Sequence, residues 1–454
     1  MRILIAGAGK VGMALTKELS EEGHDITIID QRGWVLEDAM EKYDVITLEG
    51  NAASQRILEE AEVRKMDLFI AATNADEINM LACLTAHALA PNIKTIARIR
   101  DPEYVEQAYA MKDVFSLSLV INPERLAARE IAMLVKNPGF LKRESFAKAR
   151  VEIVELRIGA DSKLVNVQLS KLAQRVRSQV LVAVVIREGR AIMPNGEFAL
   201  RKDDRIFVTG RTEELHNMLT QIGIINMPIN NVFITGGGRI SYYLAEELQK
   251  NSIHSTIIDI DRQKCVALTE KLPNATIICG DVSDHSVLES EEISEYDAVV
   301  SMTGMDELNI VTSLYAHISH VPVVVTKLGR GESSELIDSL PMLGSVVCPK
   351  DLCTSHIVRY VRAMQNKTGA ALTVHKIADG NALAYEFMVD ADTRHVGEPM
   401  KNIRFKRNIL VVSIGKGQNT MIPDGSASFR RGDTVVIVGD VTRSIQTLND
   451  IFED

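Results

Sequence analysis

The sequence predicts an α/β protein: a tandem duplication of a Rossmann-like, doubly wound parallel sheet, each copy followed by a small α+β lobe. Three observations carry that expectation. A short apolar run, Arg2-Ile3-Leu4-Ile5-Ala6, enters a G-x-G-x-x-G turn at Gly7, Gly9 and Gly12. A second run, Asp25-Ile26-Thr27-Ile28-Ile29-Asp30, ends in an acid 18 residues beyond Gly12. Both features return, Gly236 following Gly7 and Asp259 following Asp30 by the same 229 positions. Self-similarity at a fixed offset marks a repeated architecture.

The first copy opens with strand RILIA and a helix from about Val11. Each glycine has its own reason: Gly7 turns the chain tightly, Gly9 lets backbone approach a pyrophosphate, and Gly12 lets helix and strand pack closely. The helix N-terminus adds unpaired N–H groups and a partial positive charge. Asp30 stands where a carboxylate bonds the ribose hydroxyls of an adenine nucleotide, and its charge disfavours a 2′-phosphate. Further β-rich runs, DVITLEG, DLFIAAT and KTIARIR, alternate with helical stretches as far as residue 136, the pattern of a parallel sheet with crossover helices.

Asn122-Pro123 then starts a helix, Asn as cap and Pro in the first turn, which Asn137-Pro138-Gly139 stops. Its apolar residues Leu126, Ile131, Leu134 and Val135 predict a face that packs on a neighbour. From about 141 the texture changes to strands and tight turns, VEIVELRIG, LVAVVIREG and DDRIFVTG. The repeat continues through Gly280-Asp281, through T-x-x-D-E-x-N at Thr73 and Thr303, and through Asp204 and Asp433. Four units are expected, at 1–137, 138–226, 229–366 and 367–454.

Composition narrows the function. A net charge of −10 argues against a nucleic-acid binder, which carries a basic face, and against docking on anionic lipid. No stretch approaches the roughly 20 apolar residues of a membrane span. The five cysteines, Cys83, Cys265, Cys279, Cys348 and Cys353, are scattered without a C-x-x-C pair, so buried free thiols in a reducing compartment are expected, with no metal site.

The residues that can carry chemistry lie at the carboxyl edge of the first sheet, where doubly wound folds bind ligands. Thr73 offers a hydroxyl to ribose or phosphate. Asp76 and Glu77 are either ligand groups or helix N-terminal acids favoured by the macrodipole. Arg98 and Arg100 alternate by two and face one side, so both can meet phosphate oxygens or pair with Asp76 or Glu77. In the second copy the corresponding candidates are Gly236, Gly238, Arg239, Asp259, Asp281 and Thr303. There Ser241 replaces the third glycine, Arg239 stands where Lys10 does, and Lys327 lies near the position of Arg98. An asymmetric pair of sites follows.

GAGKVG, ATNADEINM and ARIRDPEY, within the order of four units, resemble the family of regulatory subunits of Trk potassium-uptake systems, built from tandem RCK domains. The resemblance covers essentially the whole chain. It implies N-lobes that bind NAD(H) or ATP/ADP, at Gly7, Gly9, Lys10, Val11, Gly12, Asp30, Asn51, Ala52, Thr73, Arg98 and Arg100. It further implies a homo-oligomeric ring, cytoplasmic and attached peripherally to the plasma membrane through a membrane-embedded TrkH/TrkG-like potassium channel or transporter. The rival is an NAD-dependent oxidoreductase, since dinucleotide folds support hydride transfer. No general acid or base shows itself: no tyrosine is followed four residues later by lysine, and the P-loop motif is absent. The expectation is a conformational switch, not a catalyst, in which Lys10, Arg98 or Arg100 gathers a γ-phosphate that NAD(H) and ADP lack.

Overall fold

The computed structural model describes residues 1–146, 151–159, 162–223, 228–329, 341–365, 371–417, 419–441 and 445–453. The expected unit boundaries at 226 and at 366–367, and Met227 of the expected linker, lie outside the described residues.

Six strands, β1 (Arg2–Ala6), β2 (Asp25–Asp30), β3 (Ile46–Glu49), β4 (Leu68–Ala71), β5 (Lys94–Arg98) and β6 (Leu119–Ile121), form one sheet in the order β3-β2-β1-β4-β5-β6. All its pairings are parallel. Six helices accompany it: α1 (Lys10–Glu21), α2 (Gly33–Lys42), α3 (Gln55–Glu60), α4 (Asp76–Leu89), α5 (Pro102–Ala110) and α6 (Pro123–Lys136). The strand order reverses between β1 and β4, which opens a crevice at their carboxyl ends. Burial explains the apolar runs, since every residue of β4 and all but the first of β1 are buried.

An antiparallel lobe follows, with β7 (Lys142–Phe146), β8 (Val151–Arg157), α7 (Leu172–Val176), β9 (Val180–Arg187), β10 (Arg190–Ile192), β11 (Arg205–Gly210) and α8 (Thr212–Ile222), ordered β10-β9-β11-β8-β7. The second half repeats the plan. Its parallel sheet holds β12 (Asn231–Thr235), β13 (His254–Asp259), β14 (Thr276–Cys279), β15 (Ala298–Ser301), β16 (Val323–Lys327) and β17 (Ser345–Val347), ordered β14-β13-β12-β15-β16-β17. Around it lie α9 (Arg239–Gln249), α10 (Arg262–Lys271), α11 (His285–Ser290), α12 (Asp306–Ile318) and α13 (Pro349–Gln365). The last sheet, β18 (Thr373–Ile377), β19 (Ala382–Met388), β20 (Ile409–Lys416), β21 (Asn419–Met421) and β22 (Thr434–Asp440), is ordered β18-β19-β22-β20-β21, the same connectivity read from the other edge. The repeated Asp204 and Asp433 lock matching turns, accepting the amides of Arg201 at 2.7 Å and Arg430 at 2.9 Å.

The halves exchange their long helices. The apolar face predicted on α6 packs on α9, with Ala127, Ile131 and Leu134 in one core with Leu244 and Leu248. Reciprocally, Ile357, Val358 and Val361 of α13 complete the core around Leu15 and Leu19 of α1. Asn122 caps α6 by accepting the Arg125 amide at 2.8 Å, and its amide nitrogen donates to the Tyr243 hydroxyl at 3.0 Å. Tyr243 donates in turn to the Arg100 carbonyl at 3.1 Å. Each parallel sheet is therefore finished by a helix from the other.

The antiparallel sheets also share a core, Phe146, Val184 and Phe207 of one meeting Ala384, Val412 and Val438 of the other. Arg205 spans the junction, holding Asp379 with two bonds of 2.6 and 2.9 Å while its Nε bonds the buried Glu155. Burial pushes the Glu155 carboxyl up, and Arg205 opposes it.

Candidate functional site

At the crevice between β1 and β4 a cavity of about 340 Å³ opens, lined in part by Gly7, Gly9, Asp30, Asn51, Ala52 and Thr73. That volume is within the range of small-ligand sites. Six of the eleven positions expected in the first copy thus meet around one space. Gly7 adopts φ +100°, and a Cβ there would press on the Ala72 carbonyl at 2.9 Å. A Cβ on Gly9 would meet nothing within 4 Å, so the turn presents bare backbone at the start of α1. Gly12 lies beneath, where a Cβ would fall 1.8 Å from the Gly7 carbonyl oxygen. Its role is the close approach of helix to turn, and Val11 beside it is buried.

Asp30 organises the opposite wall. Its carboxylate accepts the Ala8 amide at 2.7 Å, the Arg32 amide at 3.0 Å, and the Arg32 guanidinium at 2.9 and 3.0 Å. Burial alone would raise the carboxyl, but the bonds from Arg32 and Ala8 outweigh it and hold the pKa below the usual carboxylate value. The group is therefore a fixed, ionised acceptor, as recognition of ribose hydroxyls requires. The Arg32 side chain is 44% exposed and lies over the exposed Trp34 ring, 5.7 Å from its centroid. A ligand that takes its place on the carboxylate must replace both of those guanidinium bonds.

Lys10, Arg98 and Arg100 stand elsewhere. The Lys10 ammonium crosses to the second half, where a methyl built on Gly329 would come within 3.4 Å of it. There burial pushes the Lys327 ammonium down, Lys10 adding to the effect and Asp306 opposing it. Arg239 reaches back in the same manner, to 4.0 Å from Asp101. Arg98 and Arg100 do face one side, yet their guanidinium groups bond the carbonyls of Thr73 (2.8 Å) and Asn74 rather than the cavity. Burial, then repulsion from Arg100, pushes the Arg98 guanidinium down.

The T-x-x-D-E-x-N motif is a latch. The Asn79 side chain, fully buried, accepts the Thr73 amide at 2.9 Å and hydroxyl at 2.7 Å, and donates to the carbonyls of Thr73 (3.2 Å) and Arg98 (2.8 Å). Asn309 repeats all four bonds with Thr303 and Lys327. Asp76, open between two readings in the sequence, accepts the amides of Arg100 and Asp101 at 2.8 Å each, and the Glu77 carboxyl is held below the usual carboxylate range by its own backbone amide and then by Tyr104. Asn79→Ala strips the Thr73 amide and the Arg98 carbonyl of this partner, while the Thr73 carbonyl keeps the Arg98 guanidinium and the Thr73 hydroxyl keeps Ala75, so about 2 kcal/mol of stability should go in urea unfolding. A change under about 0.5 kcal/mol would show that the latch holds nothing.

The second copy is altered at the same places. Ser241 brings a Cβ where Gly12 has none, and its hydroxyl donates to the Gly236 carbonyl. Gly236 keeps φ +92°, Gly238 faces open space, and Asp259 still accepts the turn amide of Gly237 at 2.6 Å. Asp281 puts a carboxylate where Asn51 is neutral, accepting Ser283 at 2.9 and 2.7 Å. A Cβ on Gly237 would meet the buried Leu268 at 2.8 Å, so this turn has no room for the methyl that Ala8 carries in the first copy. The exposed Ile260 and Met305 make its rim apolar. A second carboxylate disfavours phosphates, in line with the expected asymmetry.

Sequence reasoning missed Gln31, Asn74, Ala75 and Ile78 of the cavity wall; the last three fill the variable positions of the T-x-x-D-E-x-N motif, where residue type carries no signal. Among the described residues no cluster of side chains could hold a metal ion, and no helix is long and apolar enough to cross a membrane.

The TrkA-N domain model matches residues 3–123 and 232–349, and the TrkA-C domain model matches 153–223 and 384–452. The chain is 30% identical over 439 residues to the Trk system potassium uptake protein TrkA homolog of Archaeoglobus fulgidus, covering 96% of this chain and 97% of that one. It is 28% identical over 446 residues to the Trk system potassium uptake protein TrkA of Vibrio alginolyticus, covering 96% and 95%. Among solved structures, the GsuK RCK domain superposes with a TM-score of 0.63 at 16% identity, over 97% of this chain and 92% of that one. The GsuK channel bound to NAD gives 0.61 at 17% identity, over 97% and 77%. With a TrkA-N and a TrkA-C domain each present twice and relatives matched along nearly their whole length, the chain belongs to the family of TrkA potassium uptake proteins.

Proposed function

We propose that this chain is the regulatory, nucleotide-binding subunit of a potassium uptake system, gating transport through a membrane-embedded partner by changes in an RCK assembly. The single observation that carries the nucleotide reading is the 340 Å³ cavity whose walls are the bare Gly7–Gly9 turn and the ionised Asp30. An adenine nucleotide fits it: phosphates at the start of α1 and ribose on Asp30, its hydroxyls replacing the Arg32 bonds there. NAD(H) and ATP/ADP share those parts, and relatives named as Trk system potassium uptake proteins, with a GsuK channel described as bound to NAD, support the choice.

The four units are read as 1–137, 138–226, 229–366 and 367–454, the first parallel-sheet unit carrying ligand ahead of the second and the two antiparallel ones joining the halves. Among the candidates, Gly7, Gly9, Asp30, Asn51, Ala52 and Thr73 contact ligand directly. Gly12 and Val11 shape the turn beneath it, and Arg98 and Arg100 fix the Thr73 loop. Lys10 and Arg239 bridge the two parallel-sheet units, so a phosphate at the start of α1 competes for Lys10 with the second half. That competition gives one ligand a different preferred arrangement from another, as a switch requires. Copies of the chain assemble as a ring on the cytoplasmic face of the membrane, against the channel.

Calorimetric titration of the purified chain with NADH, NAD, ATP and ADP tests this. Saturable binding near one equivalent per chain is expected, the first copy filling before the second. Indifference to all four nucleotides would overturn the reading, and turnover of a reduced nicotinamide with keto acids would replace it with an enzyme.

A further inference from the structure

We propose that Cys265 and Cys279 form a thiol–disulfide exchange site in the second parallel-sheet unit, taking a low-molecular-weight disulfide as its oxidant. Buried free thiols were expected along the whole chain; Cys83, Cys265 and Cys353 are buried, but Cys279 is exposed. It ends β14 and is the register partner of Asp259 at the end of β13. Cys265, on α10 and only 5% exposed, donates through Sγ to the carbonyls of Asp259 at 3.3 Å and Ile278 at 3.6 Å. These are the register partner and the preceding neighbour of Cys279, which places the Cys265 thiol beside the end of β14. A disulfide has sulfurs about 2.0 Å apart, so closure needs the Cys279 sulfur to swing toward the Cys265 thiol. Rotation about χ1 of an exposed strand-end side chain can supply it.

The chemistry divides by exposure. The Cys279 thiolate attacks one sulfur of the small disulfide, its S–S bond breaks, and one small thiol leaves, having taken up a proton. The mixed disulfide on Cys279 is then attacked by the Cys265 thiolate, forming the Cys265–Cys279 bond and expelling the second small thiol. Two protein thiols are oxidised and one small disulfide is reduced to two thiols. Burial, and then the neighbouring thiol, raises the Cys265 pKa, so an outside disulfide meets the exposed Cys279 first, and in the second step proximity on the same chain offsets the scarcer Cys265 thiolate.

The pair belongs to the second copy alone, since the corresponding residues of the first are Leu36 and Glu49. Cys279 directly precedes Gly280-Asp281, the counterpart of Gly50-Asn51 in the first cavity wall. Oxidation would tie α10 to that rim. The site stands on its own geometry and does not depend on which ligand the first copy binds.

The test treats the full chain with 5,5′-dithiobis(2-nitrobenzoate) and reads both released thionitrobenzoate and intact mass. A fast phase releasing two equivalents is expected. The product should have lost two hydrogens, retain no adduct on the pair, yield a Cys265–Cys279 cross-linked peptide, and return to its starting mass with dithiothreitol. Cys279→Ser should slow the initial release at least roughly tenfold, and Cys265→Ser should stop at a stable adduct on Cys279. A wild-type chain that keeps the adduct on Cys279 would overturn the proposal without reference to either variant, as would an initial rate unchanged by Cys279→Ser.

Discussion

Gly12→Val is expected to lower nucleotide affinity by at least roughly 100-fold and to remove about 3 kcal/mol or more of stability. The cause is local: a Cβ at position 12 would sit 1.8 Å from the Gly7 carbonyl oxygen, far inside van der Waals contact. Helix α1 must then retreat from the turn, and the amides at its start no longer converge on a phosphate. Ser241 provides the internal control, because the second turn already accommodates a Cβ and takes a hydrogen bond from its hydroxyl. Ser241→Gly should change stability by no more than about 1 kcal/mol, the worth of one hydrogen bond. Thermal melting and titration measured on the same samples separate unfolding from loss of the site. If Gly12→Val binds within threefold of the parent, the close helix–turn approach is irrelevant to binding.

The duplication, both sheet types and the glycine turn were legible because each leaves a periodic or spaced signal. Asn122 as a cap is local chemistry of the same kind, and the structure bears it out. The exchange of α6 and α13 between halves was only half legible. The apolar stripe on α6 required a partner, but nothing in a stripe says that Leu244 and Leu248, more than a hundred positions later, provide it. Arg98 and Arg100 illustrate the harder limit. Alternation placed both guanidinium groups on one side, while the choice between a phosphate and a backbone carbonyl depends on where the Thr73 loop ends, which Asn79 decides. The same motif that gave the resemblance its specificity is, in this chain, a loop latch. Lys10 was harder still, since its neighbours Gly329 and Lys327 come from the other copy.

Asp30→Asn is expected to weaken every adenine nucleotide roughly 100-fold, because hydrogen bonds to a charged acceptor contribute about 1.5–3 kcal/mol. Asparagine keeps an oxygen for the Ala8 amide, so the turn survives, but its NH₂ cannot accept a ribose hydroxyl. It also frees Arg32 from an ion pair, which leaves the guanidinium at the cavity rim beside Trp34. Trp34 is the single tryptophan of the chain, so its fluorescence reports ligand arrival at this cavity and not at the second. The companion change, Asp259→Asn, should leave that fluorescence titration unaltered, since Asp259 serves the other copy. Equal losses from the two substitutions in calorimetric titrations, which see both copies, would mean that both copies hold ligand alike and that Asp281 does not bar the second. A loss confined to Asp30→Asn places the sensing event in the first copy, from which Lys10 is the direct route to the second.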